Sequence, residues 1–154
     1  MADRQLSPHF MLSEFLVSQT AARQGIPNIP SESDILNLEQ LAQRVLEPVR
    51  SLLGNKPIVI SSGYRGHRLN MAVGGAVNSD HKFGRAADFT CPGFGAVRDI
   101  CTRLNAEEGL PFYQLIREFD QGNSGWVHIS WRDDPAPVRQ ALVIDPAGTR
   151  PLTA

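Results

Sequence analysis

The chain has 154 residues, of which 42% are hydrophobic and 20% charged, and its formal net charge is −1. That length suffices for one domain with a sizeable core, and the near-neutral balance gives nucleic acid or an anionic membrane no electrostatic hold. No apolar run approaches the roughly 20 residues needed to cross a bilayer.

The segment Met1-Ala2-Asp3-Arg4-Gln5 has no basic stretch followed by an apolar one. The expectation is therefore a chain without a secretory signal, kept in the cytoplasm until something else delivers it. We expect a monomeric single domain over residues 1–154, with a loose arm over 1–8 and a C-terminal extension over 133–154. Ser13 is a candidate cap for a short helical stretch from Leu12 to Leu16. After the loop Gly25-Ile26-Pro27-Asn28-Ile29-Pro30, Ser31-Glu32-Ser33-Asp34 offers several N-cap choices for a long helix. Its apolar face carries Ile35, Leu38, Leu41, Ala42, Val45, Val49 and Leu52 at spacings of three and four. Pro48 falls inside that pattern and predicts a bend. Gly54 is a natural stop.

Ile58-Val59-Ile60 reads as a short buried strand that ends in the turn Ser61 to Arg65. A short helix follows over 67–73, closed by Gly74-Gly75. Residues 86–91 alternate as a strand, with Ala87, Phe89 and Cys91 on one face and Ala86, Asp88 and Thr90 on the other. Residues 95–108 form an amphipathic helix with Val97, Ile100, Cys101 and Leu104 inward. Residues 113–119 and 126–131 read as a hairpin with a long polar turn, and 140–144 as an edge strand. Helices precede strands joined as hairpins, which predicts an α+β fold with an antiparallel sheet and the N-terminal helices packed on one side.

The two cysteines, Cys91 and Cys101, are too few for a disulfide scaffold and read as buried thiols. His81 and Asp88 lie seven residues apart, and His128 stands in Trp126-Val127-His128. Two imidazoles and a carboxylate suit zinc and leave a fourth position open, the pattern of a catalytic site. Asp88 and His128 fall on the non-core faces of their strands and converge if those strands are near neighbours. Gly84 lets the chain fold back so that His81 reaches the same ion. Each histidine taken singly is as well explained as a surface or core residue, and His9 and His67 are left in that class.

Ser79-x-His81-x-x-Gly84-x-Ala86-x-Asp88, followed by Trp126-x-His128, resembles the zinc D-Ala-D-Ala peptidase family of DD-carboxypeptidases, dipeptidases and phage endolysins. Ser62-Gly63-Tyr64-Arg65, Ala72-Val73-Gly74-Gly75-Ala76 and Leu12-Ser13-Glu14-Phe15 resemble its zinc DD-carboxypeptidase branch. The likeness runs from about residue 9 to 132. It implies a hedgehog/DD-peptidase-like fold, one Zn2+ held by His81, Asp88 and His128, and hydrolysis of peptidoglycan stem or cross-link peptides. It also implies a catalytic carboxylate before the last histidine. Where several members have an acid three positions before that histidine, this chain has Gly125. Glu118 takes the role of base in our reading, with Asp120 the alternative. Arg65 would meet the substrate carbonyl or carboxylate as a planar bidentate donor. Ser79 would brace the ligand loop and border the substrate, and Tyr64 and Trp126 would line the cleft or simply pack. The same fold also admits a non-catalytic zinc-containing module that binds cell wall or belongs to a virion.

Overall fold

The computed structural model describes residues 2–122, 124–133 and 137–153. It opens with a small hairpin of β1 (Gln5–Ser7) and β2 (Phe10–Met11). The loose arm expected over residues 1–8 is instead paired at Gln5–Ser7, and Leu6 is buried. The side chain of Glu47 takes hydrogen bonds from Ser7 Oγ (2.6 Å) and His9 N (2.8 Å) and lies 2.7 Å from the His9 ring nitrogen. A 3-10 turn over Leu12–Phe15 follows, with Met11 rather than Ser13 at its N-cap.

After α1 (Gln19–Gln24), capped by Ser18, one helical run spans residues 32–52. It starts as α2 (Glu32–Leu41), where Ser31 and Asp34 each bond the other's backbone N–H in a capping box. The wider turn of a π-helix occupies Ala42–Leu46, where Glu47 N–H reaches Ala42 O, and α3 (Glu47–Leu52) continues. Pro48 has no N–H to give the Arg44 carbonyl, so the predicted irregularity takes the form of this widened turn. The extra residue brings Leu46, outside the predicted face, into full burial beside Val45 and Val49.

β3 (Val59–Ser62) and β4 (Ala86–Thr90) flank α4 (His67–Ala72), and α5 (Val97–Asn105) precedes the hairpin of β5 (Gln114–Glu118) and β6 (Trp126–Ser130). β7 (Gln140–Asp145) and β8 (Gly148–Pro151) complete a six-stranded sheet in the order β3-β4-β6-β5-β7-β8. The fold is α+β, but the sheet is mixed. β7 pairs with β5 in parallel, while the other neighbours run antiparallel. Two strand expectations change with this order. β3 is an edge strand with Val59 half exposed, not a buried one. β7 is internal because β8, part of the C-terminal extension, covers it.

The two faces of the sheet divide the work. Ala87 and Phe89 of β4, Val127 and Ile129 of β6 and Leu115 of β5 share one buried cluster with Leu41, Val45 and Val49 of the long helical run and Ile100 and Leu104 of α5. The alternate residues, Asp88, His128, Ile116 and Glu118, face the other way.

Candidate metal centre

Asp88 and His128 are Cα partners across β4 and β6, so strand pairing alone sets their side chains beside each other. His81 comes from a 3-10 turn, Asp80–Phe83, whose N-cap Ser79 accepts a hydrogen bond from His81 N through Oγ (3.2 Å). Gly84 ends that turn at φ +72°, and a Cβ there would overlap the Asp34 carbonyl of α2. A glycine is thus required both for the left-handed backbone and for the approach to α2.

One oxygen of Asp88, Oδ1, lies 3.1 Å from His81 Nε2 and 3.0 Å from His128 Nδ1. The ligand atoms of the three residues lie within 4.8 Å of one another, and all three residues are buried. The other ring nitrogen of His81, Nδ1, is 2.7 Å from the Gly63 carbonyl. A carbonyl only accepts, so Nδ1 carries a proton and Nε2 is the nitrogen left to hold an ion. Two zinc bonds of about 2.0–2.1 Å at a tetrahedral angle set their donors about 3.3 Å apart, close to the separations seen here. The donor chemistry and the spacing fit one zinc ion.

The electrostatics agree with that fit. Burial pushes the Asp88 carboxyl up, but the two histidines more than offset it and hold the group well below the usual carboxylate range. Burial keeps His81 below its ordinary value, which favours the neutral imidazole that a metal needs. For His128 burial acts in the same sense, but the hydrogen bond and charge of Asp88 prevail and raise it.

A cleft of about 540 Å³ opens over this cluster, with Arg65, Ser79, Glu118 and Trp126 in its walls. Arg65 is tied to the ligand turn by its backbone N–H, which donates to His81 O (3.0 Å). Its buried Nε has no hydrogen-bond partner among the described residues. Burial pushes the guanidinium down, and the charges of Asp88 and Glu118 draw it back up. Glu118 shares a face of β5 with Ile116, the register partner of His128. Burial raises the Glu118 carboxyl, Asp88 adds to the rise, and His128 and Arg65 oppose it.

Asp120 points elsewhere. It lies 2.8 Å from Arg117 Nε and borders a different hollow. Gly125 explains the missing acid: at φ +90° a Cβ there would come within 2.6 Å of the Glu118 carbonyl oxygen and the Asp120 nitrogen. No side chain fits at that position, and the carboxylate facing the cleft comes from the opposite strand.

Residues 8–130 match the family model of peptidase M15. The chain belongs to the peptidase M15 family. It is also similar to the zinc D-Ala-D-Ala carboxypeptidase of Streptomyces albus G, at 32% identity over 88 residues. That match covers 57% of this chain and 33% of the Streptomyces protein, so the chain spans about a third of the length of this relative.

Other expected site residues of this M15 chain fare unequally. Trp126 borders the cleft beside Phe119, ring centroids 5.6 Å apart, and its buried Nε1 has no hydrogen-bond partner among the described residues. Tyr64 does not line the cleft. Its ring belongs to the core, its hydroxyl bonds Asp34, and its carbonyl accepts from Asn28 Nδ2 (2.9 Å). With Arg65 it borders a neighbouring hollow instead. His9 pairs with Glu47, and His67 is exposed at the start of α4. Cys91 and Cys101 are buried free thiols, and burial pushes the Cys101 thiol up to about 12.

Three cleft residues escaped the sequence reading. Asp80 is buried and accepts from Arg132 Nε (3.0 and 3.3 Å to its two oxygens), and the Arg132 guanidinium lies 3.9 Å over the Tyr113 ring. This clamp ties the ligand turn to the end of β6. An acid directly before His81 was the available signal, whereas its partner 52 residues away had none.

Proposed function

We propose that the chain is a zinc-dependent peptidase that cuts peptidoglycan stem or cross-link peptides, as a DD-carboxypeptidase or an endopeptidase. The observation that carries this reading is the buried His81–Asp88–His128 cluster with Glu118 and Arg65 facing the same cleft. Family membership and the name of the Streptomyces relative supply the substrate class.

Zinc, when bound, supplies a Lewis acid that makes water nucleophilic near neutral pH and polarises the scissile carbonyl. Gly63, through its carbonyl, fixes the His81 ring so that Nε2 faces the ion. Glu118 takes the proton of the attacking water and passes it to the leaving amine nitrogen. Its raised pKa suits both tasks, since a base closer to neutrality is also a usable acid. Arg65 donates to the oxygen that gains charge or to a terminal carboxylate. Such a preorganised donor lowers the barrier by about 3 kcal/mol in comparable sites. The low solvent access of the cluster strengthens each of these interactions.

A non-catalytic wall-binding or virion module needs no base in the cleft, and Glu118 weighs against it. The place of action on this reading is the cell wall. Mass analysis of muropeptides tests the reaction type: release of terminal D-Ala marks a carboxypeptidase, and cleavage of cross-links marks a lytic, endolysin-like endopeptidase. Unchanged muropeptides would refute both.

A further inference from the structure

A second hollow, also about 540 Å³, lies between β3 and the segment around α1. Val17, Arg23, Ile60 and Ser62 are among its walls, together with Arg65 and Val73, which line the metal cleft as well. The two spaces therefore have Arg65 and Val73 as common walls. Ser62 is the register partner of Asp88, which places this hollow one strand away from the metal ligands.

Three features describe what fits there. β3 is the edge of the sheet, so one side of its backbone is free of strand pairing and suits an extended peptide. Val17 and Val73 are 69% and 40% exposed and offer apolar contact. The residues lining the hollow include two arginines and no Asp or Glu, so its charge complements a carboxylate.

We infer that this hollow is the subsite for the acyl part of the peptide, which runs along β3 and presents a free carboxylate to Arg23. The inference rests on the peptidase reading, because a carboxypeptidase releases one terminal residue and the remaining chain must lie on the acyl side. Arg23 is solvent-exposed, so the discrimination it supplies is modest, about three- to fivefold.

The test uses the zinc-loaded chain and labelled acyl-D-Ala-D-Ala peptides with glutamate or glutamine one, two or three residues before the scissile bond. Fluorescence anisotropy with reduced-amide versions gives affinity, and D-Ala release from the parent peptides gives kcat and KM. At one of these positions the glutamate peptide binds about three- to fivefold more tightly than its glutamine twin. Arg23→Gln removes that preference, Arg23→Lys keeps it and Arg23→Glu reverses it. Equal affinities at every position, a preference that survives Arg23→Gln, or no binding of any peptide would overturn the subsite. Carboxylate-selective, Arg23-dependent binding without D-Ala release would uphold the subsite and sink the carboxypeptidase reading. Hydrolysis without selectivity would do the reverse.

Discussion

Gly125 and Glu118 occupy opposite ends of the β5–β6 connection, and a Cβ on Gly125 would lie 2.6 Å from the Glu118 carbonyl oxygen. The turn is closed so tightly that an acid cannot stand three residues before His128. Moving the carboxylate to Glu118 keeps it on the metal face of the sheet, next to the strand that carries His128.

Replacement of Gly125 by alanine or aspartate is expected to destabilise the fold by about 2 kcal/mol or more, from steric overlap and a positive φ. Chemical denaturation measures this. Gly125→Asp does not restore activity to Glu118→Gln; restoration would show that the turn accommodates an acid after all.

Glu118→Gln should retain zinc and lose about 10²–10⁴-fold in kcat, the usual worth of a positioned base. Asp120→Asn should leave kcat within a few fold but lower the melting temperature, because Arg117 loses its partner. The opposite pattern would assign the base to Asp120.

Metal analysis of the purified chain should find about one zinc per molecule, lost in His81→Ala and in His128→Ala. Cys91→Ala should keep it, since the thiol is buried and outside the cluster. Full retention of zinc in both histidine variants would dissolve the proposed site.

Acid should loosen the N-terminal hairpin first. Burial raises the Glu47 carboxyl, but bonds from Ser7, the His9 N–H and the His9 ring outweigh it and hold the group below its ordinary 4.5. A depressed carboxyl contributes stability that is complete above its unfolded value and is lost as pH falls through the folded one. Amide exchange at Leu6 and Phe10 should therefore accelerate below about pH 4.5, and Glu47→Gln should show the faster exchange at neutral pH. Exchange that is flat across this range would contradict the role given to Glu47.

The metal face was legible in the sequence because its information is local. Residues 79–88 hold a cap, a ligand, a left-handed glycine and a second ligand, and strand alternation fixes which way Asp88 and His128 point. Non-local pairings were not legible. Nothing in Gln140 to Asp145 says that it runs parallel to β5, a contact made only after the chain crosses to the far side of the β5–β6 pair. β8 is exposed at every position and carries no apolar alternation, although Asp145-Pro146-Ala147-Gly148 was a hairpin signal. The β1–β2 hairpin is too short for a period, and only the burial of Leu6 and Phe10 reveals it. Tyr64 stands in the Ser62-Gly63-Tyr64-Arg65 motif, yet its ring joins the core while Arg65 borders the metal cleft.

Muropeptide mass spectrometry with the zinc-loaded chain tests the central claim most directly. Loss of D-Ala or opening of cross-links with zinc, abolished by a chelator, restored by added zinc and absent in Glu118→Gln, is the predicted result. Unaltered muropeptides from a folded chain that holds one zinc would contradict it.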